Sequence, residues 1–246
     1  MATLTTYSVV SKRLAQWSTE SPPFRESAVE AVLLFDLFRG VLDFDANSAK
    51  RQVRVPKTGR TDIILRLNDK VKVVVEVKRF DTFASKAKTE QAIRQAAKYV
   101  RELKSEYGII TDGINWVYFT VRPHGNYHQI RRLIRFNIKE QPELALAMLK
   151  RSRKGTLNHF FKLLASIHGE MTEKEFARLM NLSLQERVEQ LAQKAKQNDP
   201  KLEVTSGDKS LLKVLYGNAN ANQSVKLGLK PMNLTGVNTK KKSSKS

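Results

Sequence analysis

The chain has 246 residues, enough for one large domain or for a domain with a small added module. Hydrophobic residues make up 41% of it, Lys and Arg outnumber Asp and Glu by 44 to 24, and the formal net charge is +20. This excess indicates a polyanionic partner, with nucleic acid first and an anionic membrane surface second. The absence of cysteine excludes disulfides and Cys-based zinc sites, and it fits a reducing cytosol.

No apolar run is long enough to span a bilayer, and the first residues lack the apolar core of a signal peptide. We therefore expect a cytoplasmic protein, nucleoid-associated if the source is prokaryotic, with no membrane partner.

The first predicted elements are helices. Residues 1–20 have the pattern of a short amphipathic helix, and Ser21 is a suitable N-cap for a second helix that ends at Gly40. The second helix is apolar nearly all round, so we expect it to be buried. Glu26 lies in its first part, where a carboxylate also faces the helix dipole favourably, and Glu30 follows one turn later.

A β-hairpin is predicted next, after a basic edge strand at residues 50–58. Its strands are Asp62–Leu67 and Val71–Val77, both rich in Ile, Leu and Val. Side chains of a strand alternate between faces, so Glu76 and Lys78 share one face. A three-residue loop at 68–70 places Leu67 opposite Val71 and Asp62 opposite Glu76, whereas a simple two-residue turn would put the two carboxylates on opposite faces.

Paired carboxylates on one face repel each other and favour a bound hard cation. A divalent metal held by Asp62 and Glu76 would activate a water and polarise a phosphate oxygen. The Lys78 ammonium would add positive charge beside the attacked phosphate. The alternative is a strand end that emerges into solvent, with Glu76 and Lys78 as surface residues.

A helix is predicted at about residues 86–105, and it places Gln95 and Tyr99 on one face. Strands are predicted at Tyr107–Ile110, Trp116–Val121 and Ile130–Phe136. His124 and His128 lie in a segment with Pro and Gly, which favours a loop, and we interpret them as surface residues.

The character of the chain changes after Pro142. Helices are predicted at about 143–150 and 156–168, and after N-caps at Thr172 and Ser183. A hairpin is predicted over residues 202–216. Three short helices and a hairpin resemble a winged-helix DNA-binding module; the alternative is a helical bundle that packs on the first domain or mediates dimerisation.

These observations predict that the chain is divided into three parts. Residues 1–140 form the first domain, residues 141–216 form the helical or winged-helix module, and residues 217–246 form a disordered basic tail that binds phosphates without sequence preference.

Four segments carry a resemblance to a known family. They are Glu26-Ser-Ala-Val29, Gly59-Arg-Thr-Asp62, Glu76-Val-Lys78 and Gln95-Ala-Ala-Lys-Tyr99. In this order they resemble the PD-(D/E)xK nuclease superfamily, and more narrowly the amino-terminal nuclease domain of type I restriction enzyme motor subunits. Thr61 stands where the superfamily's name has Pro. The resemblance covers about residues 20 to 135.

The resemblance implies an α/β fold with a central mixed sheet flanked by helices, as in restriction endonucleases. It implies catalytic roles for Asp62, Glu76, Lys78, Glu26, Gln95 and Tyr99, with Mg²⁺ (or Mn²⁺) held by the first two carboxylates and Glu26. The alternative for Gln95 and Tyr99 is a polar pair at a helix–sheet interface.

The function predicted is therefore a metal-dependent DNA endonuclease of restriction or mobile-element type. A catalytically inactive DNA-binding protein with the same fold is the alternative, and an RNA-directed or structural nucleoid role rests on charge alone. The sequence contains no Gly-x-x-x-x-Gly-Lys-Ser/Thr loop, so translocation would need a motor in another chain. A homodimer and a separate targeting subunit remain open.

Overall fold

A computed structural model of the chain describes residues 26–68, 70–226 and 229–234. The predicted helix at residues 1–20 and the N-cap at Ser21 lie outside these ranges. Helix α1 occupies Glu26–Val32 and continues through Leu33–Arg39 with the wider hydrogen bonding of a π-helix, ending at Gly40 as predicted. The expectation that this helix is buried all round is wrong in its first turn, where residues 26–28 are exposed, and at Phe35. Phe35 is 49% exposed, with the Arg39 guanidinium 5.1 Å from its ring centroid.

The core of the fold is one seven-stranded mixed sheet in which the strand order follows the chain. Neighbouring strands are antiparallel except the third and fourth, which are parallel and are joined by a helix. The α/β fold class predicted from the sequence is thus confirmed. The strands are β1 Ala49–Val55, β2 Gly59–Leu67, β3 Lys70–Val77, β4 Tyr107–Thr111, β5 Asn115–His124, β6 Tyr127–Asn137 and β7 Met232–Leu234.

Helix α2, Lys86–Glu102, covers one face of the sheet. Its apolar stripe, which includes Ile93, Ala96 and Val100, packs on Val74, Val117 and their neighbours. A short 3-10 turn at Phe80–Ala84 leads into this helix from the end of β3. Helix α2 therefore begins close to the end of β3, on the sheet face that it covers.

The opposite face carries α1 and the C-terminal helices. These are α3 Pro142–Arg151, α4 Leu157–His168, α5 Glu173–Met180, α6 Leu184–Asn198, α7 Ser206–Gly217 and α8 Ala219–Lys226. Residues of the sheet, α1 and the C-terminal helices share one continuous buried core. The stacked rings of Tyr107 and Phe161, 4.5 Å apart, join β4 to α4 within it.

The predicted helix starts at Thr172 and Ser183 are confirmed. The Thr172 side chain accepts a hydrogen bond from the Glu175 N–H, and Ser183 forms a complete capping box with Glu186. The predicted hairpin over 202–216 is wrong, because Ser206–Gly217 is a helix. Thr205 and Asp208 close a second complete capping box at its start. No wing follows α6 in the described part of the chain, so the winged-helix prediction is not supported.

The prediction of a disordered tail from residue 217 is also wrong for its first part. Helix α8 follows directly, and β7 pairs with the edge of β6, with Met232 opposite Ile130. Ala221, Val225 and Leu229 are buried, which explains why this Asn-rich segment is ordered. Residues 235–246 lie outside the described ranges.

The two histidines follow the surface prediction, although the loop is shorter than expected. Strand β5 extends to His124, which is exposed and pairs with Tyr127, so only Gly125 and Asn126 separate β5 from β6. Gly125 has a φ of +55°, which suits a tight turn. None of the described helices is long and apolar enough to cross a membrane.

Gly108 offers a test of the packing between α2 and the sheet. A β-carbon built on Gly108 would lie 2.1 Å from the ring of Phe119 on the neighbouring strand. We expect Gly108→Ala to lower the free energy of unfolding by about 1–3 kcal/mol, because the ring is buried and has little room to move. Gly155→Ala is the control, since nothing lies within 4 Å of a β-carbon there. Equal urea midpoints for the two variants would contradict the packing described.

Candidate active site

The register of the β2–β3 hairpin brings Asp62 and Glu76 together. Ile63 pairs with Val75 and Ile64 pairs with Val74, and the same register places Asp62 opposite Glu76. One oxygen of Asp62, Oδ2, accepts a hydrogen bond of 2.7 Å from the Val77 N–H. Both carboxylates therefore lie at the end of the hairpin, as the sequence predicted, on the sheet face that carries α2.

The turn that sets this register differs from the prediction. Leu67 pairs with Lys70 rather than with Val71, so only two residues separate the strands. The register shifts between Leu65 and Arg66, and this irregularity restores the alignment of the two carboxylates. The prediction that a two-residue turn would separate the carboxylates is wrong because it left no place for a bulge.

Glu76 is the most constrained of the predicted site residues. It is 3% exposed, and its Oε1 atom accepts hydrogen bonds from Lys78 Nζ at 2.9 Å and from Gln95 Nε2 at 3.3 Å. Its second oxygen, Oε2, is buried and has no hydrogen-bond partner. A buried carboxylate oxygen without a partner is costly, so this atom is placed to coordinate a ligand.

Burial dominates the electrostatics of the two carboxylates. It raises the pKa of Asp62, and the negative charge of Glu76 raises it further, against the hydrogen bond from Val77. Burial also raises the pKa of Glu76, against the opposing effect of the Lys78 ammonium. Two carboxylates in this environment favour either a shared proton or a cation between them.

Helix α1 supplies two further carboxylates beside the pair. Glu26 is exposed, and its Oε1 accepts a hydrogen bond of 3.1 Å from the Arg79 N–H, directly after Lys78. Glu30 is buried; its oxygens contact Arg51 Nε at 3.2 Å and Gln52 Nε2 at 2.9 Å. Glu26 acts electrostatically on Glu76, and Glu30 acts on Asp62. Both helix positions thus border the site, but neither is bonded to the pair.

Helix α2 places Gln95 and Tyr99 as the shared-face prediction requires. Gln95 contacts Glu76 directly, while Tyr99 is buried one turn later. The Tyr99 hydroxyl lies 3.7 Å from a β-carbon built on Gly59, the first residue of the Gly-Arg-Thr-Asp segment. Gly59 has a φ of +113°, a conformation that favours glycine. Gln95 therefore reaches the carboxylates, and Tyr99 reaches the start of the strand that carries Asp62.

Sequence reasoning missed Arg51 and Gln52. Both lie on β1 and hold the Glu30 carboxylate, and Gln52 has a φ of +50° within the strand. The positive φ marks a local distortion beside Asp62, since Gln52 lies opposite it in the register of β1 and β2. A basic, polar strand at the sheet edge gives no sequence signal for such a role.

The donor set fits Mg²⁺. The orphaned Oε2 of Glu76, the neighbouring Asp62 carboxylate and their raised pKa values are features of a site for a hard cation. Within the described ranges, no three acidic or histidine side chains form a ready-made metal group, so Glu26 does not join Asp62 and Glu76 in one. Mg²⁺ commonly takes one or two carboxylates and completes its shell with waters and phosphate oxygens.

The raised pKa values predict how stability responds to pH and to metal. An acid with a raised pKa in the folded state keeps its proton there more tightly than in the unfolded chain. Stability is therefore lost as pH rises from the usual values of 3.8 for Asp62 and 4.5 for Glu76 through the raised values. We expect Glu76→Gln to be more stable than wild type near neutral pH without metal, and Mg²⁺ to stabilise wild type alone.

Urea unfolding at pH 4 to 8, with Mg²⁺ or with chelator, measures both effects. If Glu76→Gln shows the same pH slope and the same Mg²⁺ response as wild type, then the buried pair does not carry the cation site.

The fold and the site define a class: an α/β protein whose mixed sheet carries an Asp–Glu–Lys cluster at a hairpin end. Residues 46–127 match the family model described as the type I restriction enzyme R protein N terminus, which confirms the resemblance over that region. The matched region contains Asp62, Glu76 and Lys78 together with Gln95 and Tyr99, whereas Glu26 lies before it.

A solved structure is also similar: the type IIG restriction endonuclease BpuSI, with 12% sequence identity and a TM-score of 0.35. The alignment covers 82% of this chain and 29% of that one, so the chain spans less than a third of that protein. Comparison with curated proteins finds no match.

Proposed function

We propose that the chain is a metal-dependent DNA endonuclease of restriction type, which hydrolyses phosphodiester bonds at Asp62, Glu76 and Lys78. The observation that carries the proposal is the buried Glu76 carboxylate, which pairs with Lys78 through one oxygen and leaves the other without a partner beside Asp62. The restriction-enzyme family match over residues 46–127 and the net charge of +20 support DNA as the substrate.

The division of labour follows from the contacts. Asp62 and Glu76 would hold Mg²⁺, which when bound polarises a phosphate oxygen and makes a coordinated water more acidic. The Val77 N–H fixes one oxygen of Asp62, which would leave the other oxygen for the cation. Glu76 is held by Lys78 and Gln95, which leaves Oε2 for the cation.

Lys78 is the positive charge nearest to the site. Its ammonium contacts Glu76 at 2.9 Å, and its side chain is only 13% exposed. Such a group orients the attacking water and stabilises the charge that develops on the phosphate in the transition state. Gln95 is exposed and contacts Glu76, and it would donate to a phosphate oxygen or to the attacking water. Glu26 would act through the Arg79 backbone, which it holds beside Lys78.

The alternative is a DNA-binding protein with the same fold and no catalysis. One observation favours it: Oε1 of Glu76 is already occupied by Lys78 and Gln95. An inactive relative would keep that internal pairing and would not need a cation.

A cleavage assay separates the two functions. Purified protein is incubated with linear duplex, supercoiled circular and single-stranded DNA, with Mg²⁺, with Mn²⁺ and with chelator. We expect strand breaks that require the divalent cation and stop with chelator. Tight DNA binding without cleavage of any form, under either metal, would reject the endonuclease in favour of the binding protein.

A further inference from the structure

A cleft of about 640 Å³ opens on the sheet face that carries α2, on strands β5 and β6. Its apolar lining comes mainly from Phe83 and Val117, and Glu173 is its one acidic residue. We call it the basic cleft, because five of its lining residues are Lys86, Arg132, Arg135, Lys226 and Lys230. This is a higher density of positive charge than the chain average, and it lies outside the site described above.

Most of these charges have no anionic partner. Lys86, Arg132, Arg135 and Lys226 form no ion pair with another described residue, and Lys230 only approaches Glu173 at 3.7 Å on the surface. The Nε atom of Arg132 is buried without a hydrogen-bond partner. The charge of Glu90 attracts Arg132, and Arg135 is close enough to repel it. A cluster of unpaired guanidinium and ammonium groups is stabilised by a bound anion, and Arg suits phosphate because it binds two oxygens at once.

The sheet register connects the basic cleft to the candidate active site. Glu76 is paired with Ile110, Ile110 with Val117, and Val117 with Arg135, so the four lie in one row across β3 to β6. Ile110 and Val117 belong to the core under α2, which places the row on the face that Glu76 occupies. With about 4.8 Å between strands, Arg135 lies about 14 Å from Glu76 along the row.

Helix α2 stands between the two places. Gln95 on this helix contacts Glu76, while Lys86 and Thr89 line the basic cleft. A polyanion that runs along α2 from Lys86 to Gln95 would therefore touch both.

We propose that the basic cleft binds backbone phosphates of the substrate DNA on one side of the bond that is cut. The proposal rests on the proposed function for the position of that bond. A distance of about 14 Å corresponds to about four nucleotide steps of 3.4 Å along a duplex strand. DNA must therefore extend at least about four base pairs beyond the cut on this side to reach Arg132 and Arg135.

The test compares two variants that remove the same charge. The cleft variant is Arg132→Gln/Arg135→Gln/Lys226→Gln. The control variant is Lys150→Gln/Lys196→Gln/Lys213→Gln, three exposed lysines on helices α3, α6 and α7, which pack against the opposite face. Binding of a duplex of fixed sequence is followed by fluorescence anisotropy over a series of salt concentrations, with chelator present. The duplex has about 30 base pairs, which exceeds the distance between the active site and the cleft.

We expect the cleft variant to bind about tenfold or more weakly than the control, with a salt slope that falls by about 2 to 3, since each lost phosphate contact contributes about 0.9. Should the triple variant fail to fold, Lys86→Gln/Lys226→Gln alters only exposed side chains and should lower the slope by about 2. Equal affinities and slopes for the cleft and control variants would overturn the proposal.

The binding test of the cleft can fail independently of the cleavage test of the proposed function. Cleavage by wild type together with equal DNA binding by both variants would reject the cleft as a DNA site and would support the endonuclease. A selective loss of binding in the cleft variant, with no cleavage by wild type, would keep the cleft as a DNA site and reject the endonuclease. Cleavage of duplexes that are shortened on one side measures the distance from the cut bond to the cleft. Wild type should stop cutting when fewer than about four base pairs remain beyond the cut on that side.

Discussion

Glu76→Gln and Asp62→Asn are expected to lower the rate of metal-dependent DNA cleavage by at least about 10³-fold. Each change keeps the shape of the side chain and removes one of the two charges that would hold the cation. Metal ions contribute several kcal/mol of transition-state stabilisation, and about 1.4 kcal/mol corresponds to a factor of ten. Non-specific DNA binding should hold steady or tighten, because both changes remove a negative charge facing a polyanion.

The matched control is Glu189→Gln, an acid-to-amide change on α6, where the carboxylate is paired with Lys209 on the surface. It should cut at the wild-type rate. Nicking of supercoiled DNA and anisotropy binding are measured side by side for all four proteins. Wild-type rates for both Asp62→Asn and Glu76→Gln would mean that the active site lies elsewhere in the chain.

Lys78→Ala should also stop cleavage, by about 10²–10³-fold, but for a different reason. The ammonium is not a metal ligand, so its loss removes charge stabilisation at the phosphate and leaves both carboxylates in place. Their mutual repulsion is then opposed by one charge fewer, so Mg²⁺ affinity should stay equal or rise. Loss of cleavage with retained metal binding is the signature that separates Lys78 from the carboxylates.

Lys72→Ala is the control for this change. Lys72 lies near the start of β3, about 20 Å from Lys78 at 3.3 Å per residue, and it lines a pocket with Lys154 and Asn158, away from the site. It should cut normally. If Lys78→Ala loses metal binding to the same degree as Glu76→Gln, then Lys78 acts only by holding Glu76, and its proposed role at the phosphate is wrong.

The placement of Asp62, Glu76 and Lys78 was predictable because strand geometry is periodic. Side chains alternate between the two faces of a strand, and in an antiparallel hairpin the residue numbers of paired positions have a constant sum. One known pair therefore predicts the other pairs of the hairpin. The turn was not predictable by the same rule. Leu65 pairs with Val73 and Arg66 with Val71, so β3 contains one extra residue at this point, and no sequence feature indicates it. The correct pairing at the site thus coexists with an incorrect loop.

The C-terminal errors have another cause. Leu211–Tyr216 is apolar enough for a strand, and the preceding Ser-Gly-Asp suggested a turn. The Thr205–Asp208 capping box favours a helix start here, and burial of Leu212, Leu215 and Tyr216 stabilises the helix. A Glu at the third helical position marks the starts after Thr172 and Ser183, whereas the start after Thr205 has an Asp there, a weaker sequence signal.

The surroundings of the site depend on contacts between distant segments. Glu30 is held by Arg51 and Gln52 on β1, and the basic cleft draws Lys86, Arg135 and Lys226 from α2, β6 and α8. These groupings follow from the order of strands and the crossover of α2. A single sequence does not specify such long-range proximity, although it does specify the charge that the groupings concentrate.

The most direct measurement of the central claim is the position of a bound metal. Crystals grown with Mn²⁺, which scatters anomalously and substitutes for Mg²⁺, would show it in an anomalous difference map. We expect one peak about 2.0–2.2 Å from Glu76 Oε2 and from an Asp62 oxygen, and no peak there in crystals of Glu76→Gln. A map with no peak between these carboxylates, from wild-type protein that cuts DNA with Mn²⁺ in solution, would contradict the account.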